Sequence, residues 1–533
     1  MNQLYYGDNL SVLRDCIERE SVDLIYLDPP FNSQATYNVL FRSTAGEDSQ
    51  AQIHAFEDTW HWGEHAEQAF DEVIEGWNTD AAELLRAFRA FLKENDMMAY
   101  LSMMGIRLLE LHRTLKSDGS LYLHCDSSAS HYLKLLIDAI FGATMFRNEI
   151  IWQRTSAHND PRKYGRVHDV ILFYTKSSTY TWNQQYDAPD DAYFSAHDFE
   201  KDENGNLYRK RDLTAPAHGG TSGQYEWRGK FPPKGRMWSY TAENMVRLEA
   251  EGRIVYTSTG MPRLKILAES LQGVPYQDVW AKSDLWLNSA AGERLGYQTQ
   301  KPLALLLRLL QSSTNEGQTV LDPFCGCGTT IHAAQKLKRE WIGIDITHLA
   351  ISLIEKRLKD AFPGISYEVH GTPKDLEGAR ALAAQDKYQF QWWAVSLVNA
   401  VPFGGKKKGA DSGIDGLIYF KPDGKTTEKA IVSVKGGDNV NVAMVRDLAH
   451  VVNREKAKVG VFITLADSTG PMRTEAVKAG YYETLYGKYP KIQILTIADL
   501  FDGKQPKIPL VDTAAFKKAP KEIEGGKQDE LPF

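Results

Sequence analysis

Hydrophobic positions along the chain follow two periods in turn. Leu4 to Gly7 reads as a short strand, Leu10, Val12, Leu13 and Ile17 recur at helical spacing, and Val22-Asp23-Leu24-Ile25-Tyr26-Leu27 forms a mostly apolar run that stops at Asp28-Pro29-Pro30-Phe31. A short apolar run closed by polar and proline residues fits a buried strand, so the chain opens strand, helix, strand. Between Ala81 and Lys116 two amphipathic helices are predicted, one carrying Leu84, Leu85, Phe88 and Phe91, the other Met104, Leu108, Leu109 and Leu115. Ser117-Asp118-Gly119 then turns into the strand Ser120-Leu121-Tyr122-Leu123-His124. From 151 to 295 helical periodicity fades and Trp, Tyr, Arg, Gly and Pro increase, which predicts a loop-rich insertion with short strands. The regular pattern resumes at Lys301-Pro302 with a helix marked by Leu303, Leu306, Leu307 and Leu310, then a strand, Thr319-Val320-Leu321, entering Asp322-Pro323-Phe324-Cys325-Gly326-Cys327-Gly328-Thr329-Thr330. Helices alternating with buried strands predict an α/β fold on a parallel sheet covered on both faces.

A second pattern begins beyond 370. It predicts a helix from Ala379 to Ala400, strands at Gly416–Phe420 and Ala430–Val434, a helix from Val442 to Val452, and strands at Val459–Leu465 and Ile492–Ile497. The expected organisation is therefore 1–150 and 296–370 as two parts of one α/β domain, 151–295 inserted between them, a linker at 371–378, a separate α/β domain at 379–512, and a Lys/Glu/Gly-rich tail at 513–533 expected to be disordered.

Composition narrows the class. With 43% hydrophobic and 25% charged residues in 533, the chain is expected to build ordinary packed cores rather than a collagen-like, wholly disordered or disulfide-scaffold structure. No stretch approaches the length of a membrane span and the N-terminus shows no basic-then-apolar leader, which reads as cytoplasmic with no membrane partner. The four cysteines are too scattered for a disulfide framework, and a lone Cys325-Gly326-Cys327 lacks a second ligand pair, so no structural metal is expected. The formal charge of -7 argues against attraction of the whole surface to nucleic acid. Residues 204 to 240 reverse that balance: Arg209, Lys210, Arg211, Arg228, Lys230, Lys234 and Arg236 face only Asp212 and Glu226, with Trp227, Phe231 and Trp238 interleaved. A second, more diluted basic group is Arg154, Arg162, Lys163 and Arg166.

Two motifs carry the candidate chemistry. In the first, Gly326 and Gly328 let the backbone approach a ligand closely, and the helix opening at Thr329 offers unpaired N–H groups. Seventeen residues after Gly328, the strand Trp341-Ile342-Gly343-Ile344-Asp345 ends in a carboxylate placed to accept ribose hydroxyls, so an adenosine-type cofactor is expected. In the second, Asp28-Pro29-Pro30-Phe31 follows a strand, where open α/β sheets place their ligands. Two prolines stiffen the backbone and remove two donors, leaving a carboxylate, carbonyls and an aromatic face. That set suits a planar base bearing an amino group: accepting its N–H hydrogens at Asp28 and a proline carbonyl localises the nitrogen lone pair for attack on an electrophilic methyl, while Phe31 stacks on the ring.

Together these motifs resemble the permuted β group of amino-methylating DNA methyltransferases, over roughly residues 1 to 370. Asp28 precedes Asp322 by 294 residues, as in that group, and Gln298-Thr299-Gln300-Lys301-Pro302, Asn148-Glu149-Ile150-Ile151-Trp152 and His168-Asp169-Val170-Ile171-Leu172-Phe173-Tyr174 resemble further segments of it. The resemblance implies a Rossmann-like S-adenosylmethionine-dependent fold with a target-recognition insertion. It implies cofactor-binding roles for Asp8, Lys301, Asp322, Phe324, Gly326, Gly328 and Asp345, and catalytic roles for Asp28, Pro29, Pro30 and Phe31. The partner would be double-stranded DNA, held by Arg154, Arg209, Lys210, Arg211, Arg228, Lys230 and Arg236. N6 of adenine is favoured, since Asp before Pro-Pro is more frequent among adenine enzymes, with N4 of cytosine as the alternative; a homodimer is compatible with this reading. Gly413-Ile414-Asp415-Gly416 followed by Ile431-Val432-Ser433-Val434-Lys435 resembles the Mrr-like branch of restriction-endonuclease folds, in which an acid and an x-x-Lys hold a divalent metal. Ser433 stands where an acid or Gln is usual, so weak or absent cleavage is expected, with magnesium a cofactor only if this domain is active. The rival is a bifunctional restriction-modification enzyme whose site is completed by Asp411 or Glu428. An NAD-dependent oxidoreductase is a further reading, but the loop lacks the G-x-G-x-x-G that receives a pyrophosphate and Asp28-Pro29-Pro30-Phe31 would have no role; a catalytically silent DNA-binding protein would need the cofactor loop to be empty, and every expected position there is filled.

Overall fold

The computed structural model describes residues 2–30, 61–156, 162–217, 223–281, 285–286, 300–403, 413–423, 426–485 and 487–509. Phe31, Gln298, Thr299, Asp411 and the tail from 513 lie outside the described residues. Nine strands form the main sheet: β1 (Gln3–Tyr6), β2 (Val22–Leu27), β3 (Leu115–Cys125), β4 (Phe146–Gln153), β5 (His168–Thr175), β6 (Val279–Trp280), β7 (Thr319–Asp322), β8 (Glu340–Asp345) and β9 (Glu368–His370), in the order β6-β4-β5-β3-β2-β7-β8-β1-β9. Side chains on β2 alternate between two cores, Ile25 and Leu27 packing with Leu123 and Leu321, Leu24 and Tyr26 with Tyr122 and Trp341. Burial on both faces is what the apolar run from 22 to 27 required.

The sheet is mixed rather than wholly parallel, because β5 runs antiparallel to both β3 and β4. The expected boundary at 151 is also corrected, since it falls inside β4. Ile150, Trp152 and Val170 to Tyr174 are buried as sheet residues, so these aromatic and β-branched segments extend the sheet instead of starting an insertion. The compact unit that separates from the rest is Gln184–Gln277. Within it, Glu200–Lys201, Leu207–Asp212, Ile254–Tyr256 and Pro262–Leu267 form an antiparallel four-stranded sheet. Its core joins Leu213, Trp227, Trp238, Met245, Leu248, Ile254 and Leu264.

Residues 376 to 509 hold a five-stranded sheet, Val401–Pro402, Gly416–Phe420, Glu428–Lys435, Val459–Thr464 and Ile492–Thr496, in that order. The single helix expected at 379–400 is two, Leu376–Gln385 and Lys387–Leu397. Asp386 breaks it by accepting hydrogen bonds from the backbone N–H groups of Tyr388 and Gln389, acting as the N-cap of the second helix. Among the described residues no helix is long and apolar enough to cross a membrane.

Candidate active site

Register brings the two motifs together. β7 lies between β2 and β8, with Leu321 opposite Ile25 on one side and Asp322 opposite Gly343 on the other. All three strands are parallel, so Asp28, Asp322 and Asp345 leave the sheet at the same end, although 294 residues separate the first two. That end is where a doubly wound sheet opens its ligand crevice.

The glycine loop is built around Asp345. Its Oδ2 accepts the Gly326 N–H at 3.0 Å, and its Oδ1 accepts both the N–H and the hydroxyl of Thr347, at 2.9 and 2.8 Å. The acid thus fixes the loop, a role the motif alone did not reveal. Burial raises the Asp345 carboxyl to about 6 against these hydrogen bonds. Asp322 is more perturbed. Burial, followed by the nearby charges of Asp28 and Asp345, lifts it to about 7, although Thr330 and the Phe324 N–H both donate to it. Phe324 is half-buried against the core shared by Ile25 and Leu321. Gly328 caps the helix Thr329–Lys336 at φ 74°, and a Cβ there would lie 2.7 Å from Ile354 Cγ1. Only glycine meets both conditions without displacement. Beneath the loop, buried Arg357 donates to the Cys327 carbonyl and the Thr329 hydroxyl, each at 3.1 Å.

Asp8 lies beside this loop. It caps the helix Asn9–Cys16 by accepting from Leu10 and Ser11, and its Oδ2 pairs with Arg107 at 2.7 Å. Gly7 N–H donates to the Asp345 carbonyl at 3.0 Å, and the Asn9 amide donates to the Pro323 carbonyl at 2.9 Å. Arg107, buried in the helix Asp96–Thr114, also donates to Asn9 Oδ1 at 2.6 Å. The N-terminal turn, a distant helix and the glycine loop are therefore one hydrogen-bonded assembly.

At Asp28 the backbone leaves β2 through buried Pro29 and half-buried Pro30. Lys301 Nζ pairs with Asp28 Oδ2, which places this lysine on the carboxylate of the Pro-Pro motif. On the other side, His124 Nδ1 stands 3.9 Å from Asp28 Oδ1 and 3.0 Å from the Tyr26 hydroxyl, while its Nε2 is 3.3 Å from Asp169 Oδ2. Arg154 Nε lies 3.3 Å from the other oxygen of Asp169. Tyr26, His124, Asp169 and Arg107 had no assigned role in the sequence. For His124 the available signal is a polar residue closing an apolar strand, the same signal that marks Asp28; Tyr26, Asp169 and Arg107 carry no such signal.

In the unit 184–277, Arg209, Lys210 and Arg211 lie on one strand, opposite Ile266, Lys265 and Leu264. Several of the basic residues already have acidic partners: Lys210 pairs with Glu200, Arg228 with Glu249 at 2.6 Å, and Arg236 with Asp212 at 3.4 Å. Lys230 packs its stem beside Gly260. Trp227 and Trp238, interleaved with the basic residues along the chain, are 7% and 2% exposed, because the unit's small core needs their area. Phe231, at 62%, is the exposed member of the three.

In the C-terminal domain Gly416 is opposite Val432, so Asp415 adjoins Ser433, and Lys435 follows two positions on, on the same face of the sheet. Asp415 Oδ2 accepts the Val434 N–H at 2.6 Å and Ser433 is buried. Glu428 pairs with Phe420 at the far end of the strand and is bridged to Lys458 at 3.6 Å. Five residues of strand, roughly 17 Å, separate it from Ser433. Glu428 is therefore excluded as the completing acid. Among the described residues no three potential metal-ligating side chains cluster.

Comparison with known proteins agrees with this geometry. Residues 22–356 match the family model described as DNA methylase, and residues 382–494 one described as restriction endonuclease. The chain belongs to the DNA methylase family, fused to an Mrr-like restriction-endonuclease domain. It is 31% identical over 363 residues to the type II methyltransferase M.EcaI of Enterobacter cloacae, covering 67% of this chain and 69% of that protein. It is 24% identical to the DNA adenine methyltransferase YhdJ of Escherichia coli K12, over 67% of this chain and 82% of that one. A putative DNA modification methylase of Thermus thermophilus, solved with S-adenosyl-L-methionine, aligns over 69% of this chain and 98% of its own at 15% identity, with a TM-score of 0.34.

Gly328→Ala should cost about 1 to 3 kcal/mol, because the side chain must displace Ile354 while adopting a left-handed backbone. Thermal unfolding of Gly328→Ala, Ile354→Ala and the double variant measures it. The two changes should be non-additive, because Ile354→Ala removes the Cγ atoms that the new side chain would meet and so absorbs part of the loss; full additivity would remove Ile354 from the explanation.

Proposed function

We propose that the protein transfers a methyl group from S-adenosylmethionine to N6 of adenine in double-stranded DNA, with the unit 184–277 reading the target. The observation that carries the reading is the convergence of Asp28 with Asp322 and Asp345 on adjacent strand ends, the first opening the Pro-Pro segment and the other two flanking the glycine loop. The donor set fits the cofactor. It offers acidic groups for a net-positive molecule, a helix N-terminus, and an acid after β8 at the ribose-binding position. Asp8, Asp322, Phe324, Gly326, Gly328 and Asp345 would hold it, and when bound it supplies the electrophilic methyl.

The chain's residues do the rest. Asp28 accepts an N–H of the target amine, drawing electron density onto nitrogen, and the rigid Pro29-Pro30 backbone offers a carbonyl to the other hydrogen. Lys301 holds the Asp28 carboxylate in place. Asp before Pro-Pro favours adenine over cytosine, in line with the relative named as an adenine methyltransferase. Half-buried Arg209 and exposed Arg211, together with Lys230 and the ion-paired Lys210, Arg228 and Arg236, supply phosphate contacts, as does Arg154, which is bridged to Asp169.

Asp28→Ala should lower the methyl-transfer rate about 100-fold or more while leaving cofactor affinity within a few fold, as read by single-turnover kinetics and equilibrium dialysis. A variant with half the wild-type rate would refute the role.

Cofactor affinity should depend on pH through Asp322. Its folded pKa of about 7 is raised by burial above the ordinary 3.8, so its contribution to stability is greatest at low pH and is lost as pH rises from about 4 to about 7. A cationic ligand favours the ionised carboxylate, so binding should expel a proton below pH 7 and tighten from pH 5 to 7, then level off. Calorimetry in buffers of different ionisation enthalpy reads the released proton. Asp322→Asn should flatten the profile, and an unchanged profile would reassign the titrating group.

The C-terminal domain should cleave DNA weakly or not at all, since one oxygen of Asp415 is held by the backbone and Ser433 is a poor ligand for a hard cation. Plasmids with and without methylation, incubated with magnesium or manganese, test this. Specific cutting abolished by both Asp415→Ala and Lys435→Ala would establish a bifunctional enzyme.

A further inference from the structure

Methylating an exocyclic amine leaves a proton to dispose of. The amine lone pair forms the new C–N bond as the C–S bond of the methyl donor breaks, and the electron pair of that bond stays on sulfur. Nitrogen then carries the positive charge until one of its hydrogens departs as a proton. Asp28 is placed to receive it, yet a carboxylate is a weak base that holds a proton only briefly near neutrality.

We infer that His124, backed by Asp169, is the group to which Asp28 passes this proton, and that it holds the proton until product leaves. The inference rests on the methyl-transfer reading above. His124 is fully buried on β3, between Tyr26 of β2 and Asp169 of β5, with the edge of Trp152 packed 5.4 Å from its ring centroid. Its two nitrogens face different partners. Nε2 lies 3.3 Å from Asp169 Oδ2, an acceptor, so it carries the hydrogen. Nδ1 then accepts the Tyr26 hydroxyl, 3.0 Å away, and Asp28 Oδ1 stands 3.9 Å from the same nitrogen. Tyr26 does not compete for the proton. Burial first, then the charges of Asp28, Asp322 and Asp169, hold its phenol well above the ordinary value, so it only donates.

Asp169 is the counter-charge that makes an imidazolium tolerable in a dry site. Burial pushes its carboxyl up, but the hydrogen bond and charge of His124, together with Arg154 and Lys301, outweigh burial and hold it below the ordinary value. Lys301 bonded to Asp28 and Arg154 bonded to Asp169 are the opposing cations, and the flanking carboxylates are Asp28 and Asp169. Transfer from Asp28 Oδ1 to His124 Nδ1 requires closing the gap by about 1 Å, to ordinary hydrogen-bond length, while the Tyr26 O–H turns away to free the single lone pair of Nδ1. One proton leaves the amine and one arrives on imidazole, so the step balances. The arrangement makes His124 a positioning and proton-accepting residue that acts through Asp28.

The test is the solvent deuterium isotope effect on single-turnover methyl transfer at saturating cofactor and DNA, which removes the contribution of cofactor binding. Delivery of the proton to His124 should give the wild type a normal effect of about twofold or more. His124→Gln keeps a donor and an acceptor but cannot take up the proton; its rate should be about 100-fold lower and its isotope effect should fall toward unity, with cofactor and DNA affinities within about twofold. Asp169→Asn removes the counter-charge with little change of shape and should lower the rate about tenfold or more with the same affinities. It also serves as the second arm if His124→Gln does not fold. An Asp169→Asn variant with the wild-type rate, or a His124→Gln variant that loses thermal stability but keeps the wild-type rate and isotope effect, overturns the inference. A wild type that transfers no methyl group to DNA would instead overturn the function on which it rests.

Discussion

Three carboxylates crowded at one end of a sheet are the constraint on which the site depends. Asp28, Asp322 and Asp345 leave adjacent parallel strands, two of them deeply buried, and burying like charges together is costly unless some are neutralised. The protein meets this in part with Lys301 on Asp28 and with backbone N–H groups and Thr347 on Asp345. Asp322 is held by hydrogen-bond donors, Thr330 and the Phe324 N–H, and its carboxyl rises to about 7. Under the proposed function a net-positive ligand seated by the glycine loop would relieve that burden, and cofactor affinity and its pH dependence would have one electrostatic origin.

The same sheet explains how a chain that presents its Asp-Pro-Pro motif first and its glycine loop last still builds one crevice. β2 and β7 are neighbours in space, so everything between them can be inserted without disturbing the pairing of Ile25 with Leu321. The intervening residues supply β3, β4 and β5, which carry His124, Arg154 and Asp169 to the flank of Asp28, and the separate unit 184–277. Under the proposed function, recognition by that unit and chemistry at the sheet edge rest on different parts of the chain, which would leave recognition free to vary.

Much of this is legible in the order of residues alone. Apolar runs that stop at a polar residue mark β2, β7 and β8, and the acids at their ends are neighbours in the fold. What is not legible depends on pairing. Whether a polar residue closing an apolar strand is functional turns on what lies opposite it, and nothing local ties His124 to Asp169, or Asp8 to Arg107. The aromatic residues at 227 and 238 show the converse: in a basic, loop-rich segment a tryptophan reads as a base contact, yet a unit this small has few other side chains with which to fill a core. The boundary at 151 fails for a related reason, since antiparallel strands rich in aromatics look irregular when helical and parallel-strand periods are sought.

The account turns on what the crevice does to DNA. The most direct measurement is incubation of unmethylated genomic DNA with the protein and S-adenosylmethionine labelled in its methyl group, followed by digestion to nucleosides and mass spectrometry. Label should appear in N6-methyladenine, dependent on Asp28. Label confined to N4-methylcytosine would contradict the adenine assignment, and absence of label from DNA would contradict the account as a whole.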